Sequence, residues 1–236
     1  MKSTGKNATV MVCALLAMSL AGPGGRAAGD VRLVGAVEFR GLKSLGSREI
    51  LSGVPHRVRG DGVVLDVDAM KDALGKNPYV RDFTMRKEGN RLVVEVQERE
   101  PAFIVAIKRS RAVTAVEFDG SLRVLSVNHA HGRDVPVVLV NGAGMSDVGL
   151  SKRLESVLGM LAEINRGKLA VYREIEEIDL TDYPHASILL RGRRTAFKVR
   201  ARELDFLRLN YLAGFLDGAG WYPREAFDCG GFVVMK

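Results

Sequence analysis

Hydrophobic and polar residues alternate with a period of two over two adjoining stretches of the chain. Phe83 and Met85 alternate with Asp82, Thr84 and Arg86; after Glu88-Gly89-Asn90, Leu92, Val94 and Val96 alternate with Val93, Glu95 and Gln97. This period predicts a β-hairpin with one face in a core and the other in water. Gly and Asn at the tripeptide can take positive φ at low cost. The second strand ends in the charged pair Glu98-Arg99, and Pro101 follows. Proline has no N–H to give to a ladder, so regular pairing is expected to stop or change course there. Glu98, Arg99 and Pro101 therefore read as a domain junction, with salt bridging as the simplest role for the charges.

Upstream, Val31, Leu33, Val37 and Phe39 alternate with Arg32, Glu38 and Arg40, which predicts one strand ended by Gly41. Ser47 is placed to cap a short helix through Ile50 and Leu51. Asp66 or Asp68 is placed to cap a second helix carrying Val67, Met70 and Leu74, closed by Gly75 and the break at Pro78. The order is strand, helix, helix, strand, strand, with both helices expected on one face of a three-stranded sheet.

After Pro101 the pattern changes. Short strands are predicted over Phe103 to Ile107, Val113 to Phe118, Leu122 to Val127 and Val135 to Val140, with Asp119-Gly120 as a two-residue hairpin signal. Leu150, Leu154, Val157, Leu158, Leu161 and Ile164 fall at helical spacing. Strands follow over Ile175 to Leu180, Ala186 to Leu190 and Arg194 to Val199. A second amphipathic helix is expected to bury Leu204, Leu207, Tyr211 and Phe215 and to stop near Gly218 and Gly220. A last strand covers Phe232 to Met235. The fold class is α+β, with a first domain over 30–100 and a β-rich second domain carrying two amphipathic helices over 101–236.

Composition narrows the setting. The chain has 236 residues, 47% of them hydrophobic and 27% charged, which suits packed domains and disfavours disorder. The net charge of +7 raises nucleic acid or an anionic membrane surface as a partner. The cations are scattered, however, and the densest groups, Lys108 to Arg111 and Arg191 to Arg194, lack interleaved aromatic residues for base stacking. Lys2 and Lys6 precede the uncharged run Ala8 to Gly22, and Ser19 and Ala21 lead into Gly22-Pro23-Gly24-Gly25. Residues 1–29 thus read as a signal peptide or a single-pass anchor plus linker, with the body of the chain exported. Cys13 and Cys229 leave no internal disulfide to a body without that run.

Candidate chemistry is sparse. His129 and His131 could share a metal, but no third histidine or carboxylate recurs at ligand spacing, and no metal or cofactor is assigned. Glu174, Glu176 and Glu177 offer paired carboxylates, which in a Lys- and Arg-rich chain are more often a solvated face. No nucleophile elbow, phosphate loop or zincin signature occurs. Trp221-Tyr222-Pro223 breaks the periodic pattern, and Trp221 is either a lid over the core or an exposed anchor for a partner; the lid is the favoured reading. The expectation is a non-enzymatic binding or scaffolding protein without a small-molecule substrate.

The chain resembles the bacterial cell-division FtsQ/DivIB family. The resemblance rests on Val37 to Leu51 (VEFRGLKSLGSREIL), Asp68 to Lys87 and Leu92 to Phe103, above all on the acidic-Arg-x-Pro tetrad Glu98-Arg99-Glu100-Pro101 before an apolar strand. It continues through Val113 to Ser126, Asp134 to Gly142, Glu177 to Val199 and Phe227 to Lys236. It implies a POTRA domain, with strand order β-α-α-β-β, followed by the family's β-domain. It implies a single-pass protein of the cell inner membrane with a periplasmic body that binds the small coiled-coil proteins FtsB and FtsL during septum formation. The partner-binding stretch it implies is Phe232, Val233, Val234 and Met235, by strand addition at a sheet edge. The competing expectation is a free periplasmic POTRA module of an outer-membrane assembly or secretion system.

Overall fold

The structure, a computed structural model, describes residues 31–130, 134–142, 148–229 and 233–236. The protein is α+β, and the chain divides into two compact units, Met1–Arg99 and Glu100–Lys236. The apolar run Ala8 to Gly22 lies outside the described residues. Among the described residues no helix is long and apolar enough to cross a membrane.

The first unit contains β1 (Val31–Val34), β2 (Ala36–Arg40), α1 (Ser47–Ser52), β3 (His56–Arg59), β4 (Gly62–Asp66), α2 (Val67–Lys76), β5 (Val80–Glu88) and β6 (Arg91–Glu98). The stretch expected as one strand from Val31 is two, divided at Gly35. The Gly35 N–H donates to the Asn90 carbonyl oxygen at 2.6 Å, and a β-carbon there would stand 2.5 Å from the Asn90 amide nitrogen. β1 departs to a small antiparallel sheet, β1-β4-β3, while β2 lies parallel to β6 in the sheet β2-β6-β5. The β3–β4 hairpin is absent from the sequence expectation, although Gly60-Asp61 supplies its turn and Gly60 has φ +60°.

Helix caps follow local chemistry. Asp66, not Asp68, caps α2, accepting from the Ala69 N–H at 2.9 Å. Ser47 is the first residue of α1 rather than its cap, which is Gly46 without a side-chain bond. α2 buries Val67, Met70 and Leu74.

On the central strand β6, Leu92, Val94 and Val96 are buried as their alternation predicts, but Val93 on the other face is fully buried too. The cause is an ion-pair lattice across all three strands. Arg86 meets Glu88 at 2.6 Å and Glu95 at 2.8 Å, Arg40 meets Glu38 at 2.9 Å and Arg91 reaches Glu38 at 3.4 Å. These long side chains lie over Val93 with their heads paired in water.

The second unit is built on one nine-stranded mixed sheet in the order β15-β14-β13-β12-β11-β10-β7-β8-β9. Its strands are β7 (Pro101–Lys108), β8 (Val113–Asp119), β9 (Val124–Val127), β10 (Val137–Asn141), β11 (Ile175–Asp179), β12 (His185–Leu190), β13 (Ala196–Arg200), β14 (Glu225–Asp228) and β15 (Val233–Met235). Two crossovers join parallel neighbours: α3 (Val148–Arg166) with α4 (Ala170–Glu174) between β10 and β11, and α5 (Phe206–Ala219) between β13 and β14.

Alternate residues of β7, β10, β12 and β13 enter a single core: Phe103 and Val105, Val138 and Val140, Ile188 and Leu190, Phe197 and Val199. α3 adds Leu154, Val157, Leu158, Leu161 and Ile164, the face its spacing predicts. The connection from Asp119 to Val124 is longer than a two-residue turn. Asp119 Oδ1 accepts from the N–H groups of Ser121 and Arg123, and Leu122 takes positive φ, at 63°.

Candidate protein-binding edge and ridge

β15 is the last strand in the order, and among the described residues it pairs with β14 alone. Glu225 and Lys236 exchange both backbone hydrogen bonds, at 3.2 and 2.9 Å. In an antiparallel ladder such pairs alternate, so Val234 is bonded to Phe227, whereas the N–H and C=O groups of Val233 and Met235 point to the open edge. An open row of donors and acceptors is a template for an added strand. Of the four residues expected there, Phe232 lies outside the described residues. Val233 and Met235 pack their side chains against the core, and Val234 is 40% exposed on the opposite face.

That opposite face has a defined chemistry. The register sets Lys198 beside Phe227 and Phe227 beside Val234. Lys198 Nζ and Lys236 Nζ lie 5.5 and 5.3 Å from the Phe227 ring centre, within cation–π range. Lys198 also pairs with Glu225 at 2.7 Å, which holds the Glu225 carboxyl below its usual range. An aromatic and an aliphatic side chain thus stand between two ammonium groups beside the open edge. Sequence reasoning selected the strand and missed Lys198, Phe227 and Lys236, because only the β13–β14–β15 register brings them together.

α5 reverses the expected orientation. Asp205 caps it, accepting from Leu207 and Arg208, and the helix buries Phe206, Leu209, Ala213 and Leu216. Arg208 pairs with Asp228 of β14 at 2.7 Å. Leu207, Tyr211 and Phe215, expected in the core, are 56%, 79% and 62% exposed. They recur every fourth residue and form one ridge. Beyond the αL cap at Gly220, Trp221 and Tyr222 are half exposed, so Trp221 is not a lid. The Tyr222 hydroxyl bonds Asp217 at 3.2 Å.

At Glu98 the structure assigns a different task from the expected salt bridging. Glu98 accepts three backbone N–H bonds, from Lys43 at 2.8 Å, Ser44 at 2.8 Å and Leu45 at 3.1 Å. It thereby clamps the β2–α1 connection inside the first unit. The Arg99 N–H donates to the Tyr79 carbonyl at 2.7 Å. Pro101 opens β7, in a different sheet from β6.

The remaining candidates do not assemble into a site. His131 lies outside the described residues, and among the described residues no group of three His, Cys, Asp or Glu side chains is placed to hold a metal. Glu174 pairs with Arg193 at 2.7 Å, and Arg193 also bonds Asp217, tying α4 to α5. Glu177, on β11, has its carboxyl pushed up by burial and by Asp179 and Glu176. Cys229 is exposed and free. No known protein family and no curated protein matches the sequence.

Proposed function

We propose that the protein is a non-enzymatic scaffold of the FtsQ/DivIB kind, anchored in the inner membrane by its N-terminal run and binding FtsB- and FtsL-like partners through its second unit. The observation that carries this reading is the open β15 edge, with outward backbone groups at Val233 and Met235 beside the Lys198-Phe227-Lys236 cluster. A partner strand added there would extend the sheet through main-chain bonds. Its apolar side chains would meet Val234 and Phe227, and a carboxylate would meet Lys236. The ridge Leu207, Tyr211 and Phe215 offers a second apolar contact on the same unit.

The first unit supports the same family. β2, α1, α2, β5 and β6 follow one another in the order that a POTRA domain implies, with β3 and β4 inserted between the helices. The Gly41 and Glu98 positions, on which the resemblance partly rests, have a shared structural reason. Gly41 has φ +86°, and a β-carbon there would meet the Val96 carbonyl oxygen at 2.2 Å.

Depleting the protein in its host bacterium tests the reading. Filaments with undivided septa are the expected outcome. Normal division in cells without a second copy contradicts it.

A further inference from the structure

The small sheet β1-β4-β3 has two unlike faces. Val34 and Leu65 are fully buried on one. On the other, the register sets Leu33 beside Val64 and Val64 beside Arg57, with Val31 and Arg59 at the same face. Val31 and Leu33 are 57% and 55% exposed. Gly62 lies close beneath β1, since a β-carbon there would stand 2.9 Å from the Val34 carbonyl oxygen and 3.1 Å from Leu33 Cδ1.

The arginines of the neighbouring sheet, Arg40, Arg86 and Arg91, are all paired with glutamates. Arg57 and Arg59 meet no carboxylate among the described residues. Asp66, on the same face, is committed to capping α2. Asp61 at the hairpin tip is the other nearby carboxylate, and it is exposed.

We propose that this face docks on an anionic lipid surface, with Val31, Leu33 and Val64 against the headgroup boundary and Arg57 and Arg59 on lipid phosphates. Aliphatic side chains combined with unpaired arginines are the chemistry of membrane-surface binding. The chain supplies the proximity. Residues 23–30 join the apolar run to β1 and can span at most roughly 26–29 Å when fully extended. A face tethered that closely needs little affinity of its own to stay bound. The inference rests on the retained-anchor reading above.

The test uses the full chain with Cys13→Ser and Cys229→Ser, and Leu33→Cys carrying an environment-sensitive fluorophore. It is reconstituted in vesicles of phosphatidylcholine alone or mixed with phosphatidylglycerol, each with spin-labelled lipid as quencher. Quenching at position 33 is expected in the anionic vesicles and not in the neutral ones. Adding Arg57→Gln and Arg59→Gln should lower the docked-to-free ratio about twenty-five-fold, at about fivefold for each cation at an anionic surface. An unchanged circular dichroism spectrum shows that both exposed substitutions leave the fold intact. A chain that floats with the vesicles but is equally quenched in both, or in neither, overturns the docking alone. A chain that does not float overturns the anchor and the docking together.

Discussion

Three backbone N–H groups, from Lys43, Ser44 and Leu45, converge on the Glu98 carboxylate, and the same connection leaves β2 through Gly41 in a left-handed conformation. Glu98→Ala removes a charged acceptor from all three donors and should cost the first unit about 1–3 kcal/mol. Glu98→Gln, which keeps one acceptor oxygen, should cost less. Denaturant unfolding measures both, and equal stability of wild type and Glu98→Ala would remove the clamp from the account. The role was not legible in the sequence, where Glu98 beside Arg99 suggests an ion pair. Nothing local shows that a loop more than fifty residues earlier presents three donors. A second residue-scale prediction concerns Arg193. Its guanidinium holds the Asp217 carboxyl below the usual carboxylate range. A depressed carboxyl stabilises the fold above its unfolded value of about 3.9 and ceases to as pH falls through the folded value. Arg193→Met should therefore lower stability at neutral pH and flatten the loss on acidification below about pH 4. Parallel acid curves for the two proteins would contradict this.

Among the elements, α5 separates what periodicity can decide from what it cannot. Both of its faces are apolar, Phe206, Leu209, Ala213 and Leu216 on one and Leu207, Tyr211 and Phe215 on the other. Helical spacing selects either set equally well. The Asp205 cap and the Arg208–Asp228 pair turn the first set inward. α3 was legible because its opposite face carries Lys152, Glu155 and Glu163, leaving one choice. Leu216→Ala should cost about 2–5 kcal/mol by emptying a core position. Phe215→Ser should change stability by no more than about 0.5 kcal/mol while weakening partner capture. Thermal unfolding and a pull-down on the same two variants read both effects. A large loss of stability for Phe215→Ser would show that the ridge is covered within the chain. The strands of the second unit were readable from alternation, but their order was not. The order comes from two crossovers, and it alone brings Lys198 next to Phe227.

Across the whole molecule, the two units are stabilised in different ways. The first combines a small core with an ion-pair lattice over Val93, and the second has one continuous core between its helices and its large sheet. In this account the second unit leaves its binding capacity at a sheet end, where pairing is incomplete. Strand addition predicts which backbone groups change on binding, because the register fixes their direction. Val234 is already bonded to Phe227, so the groups available to a partner belong to Val233 and Met235. Amide hydrogen exchange of the chain with and without an FtsB-like partner reads this directly. Slowed exchange at Val233 and Met235, with Val234 little changed, is the predicted result. A complex that forms while both outward amides exchange as freely as before would contradict strand addition at β15.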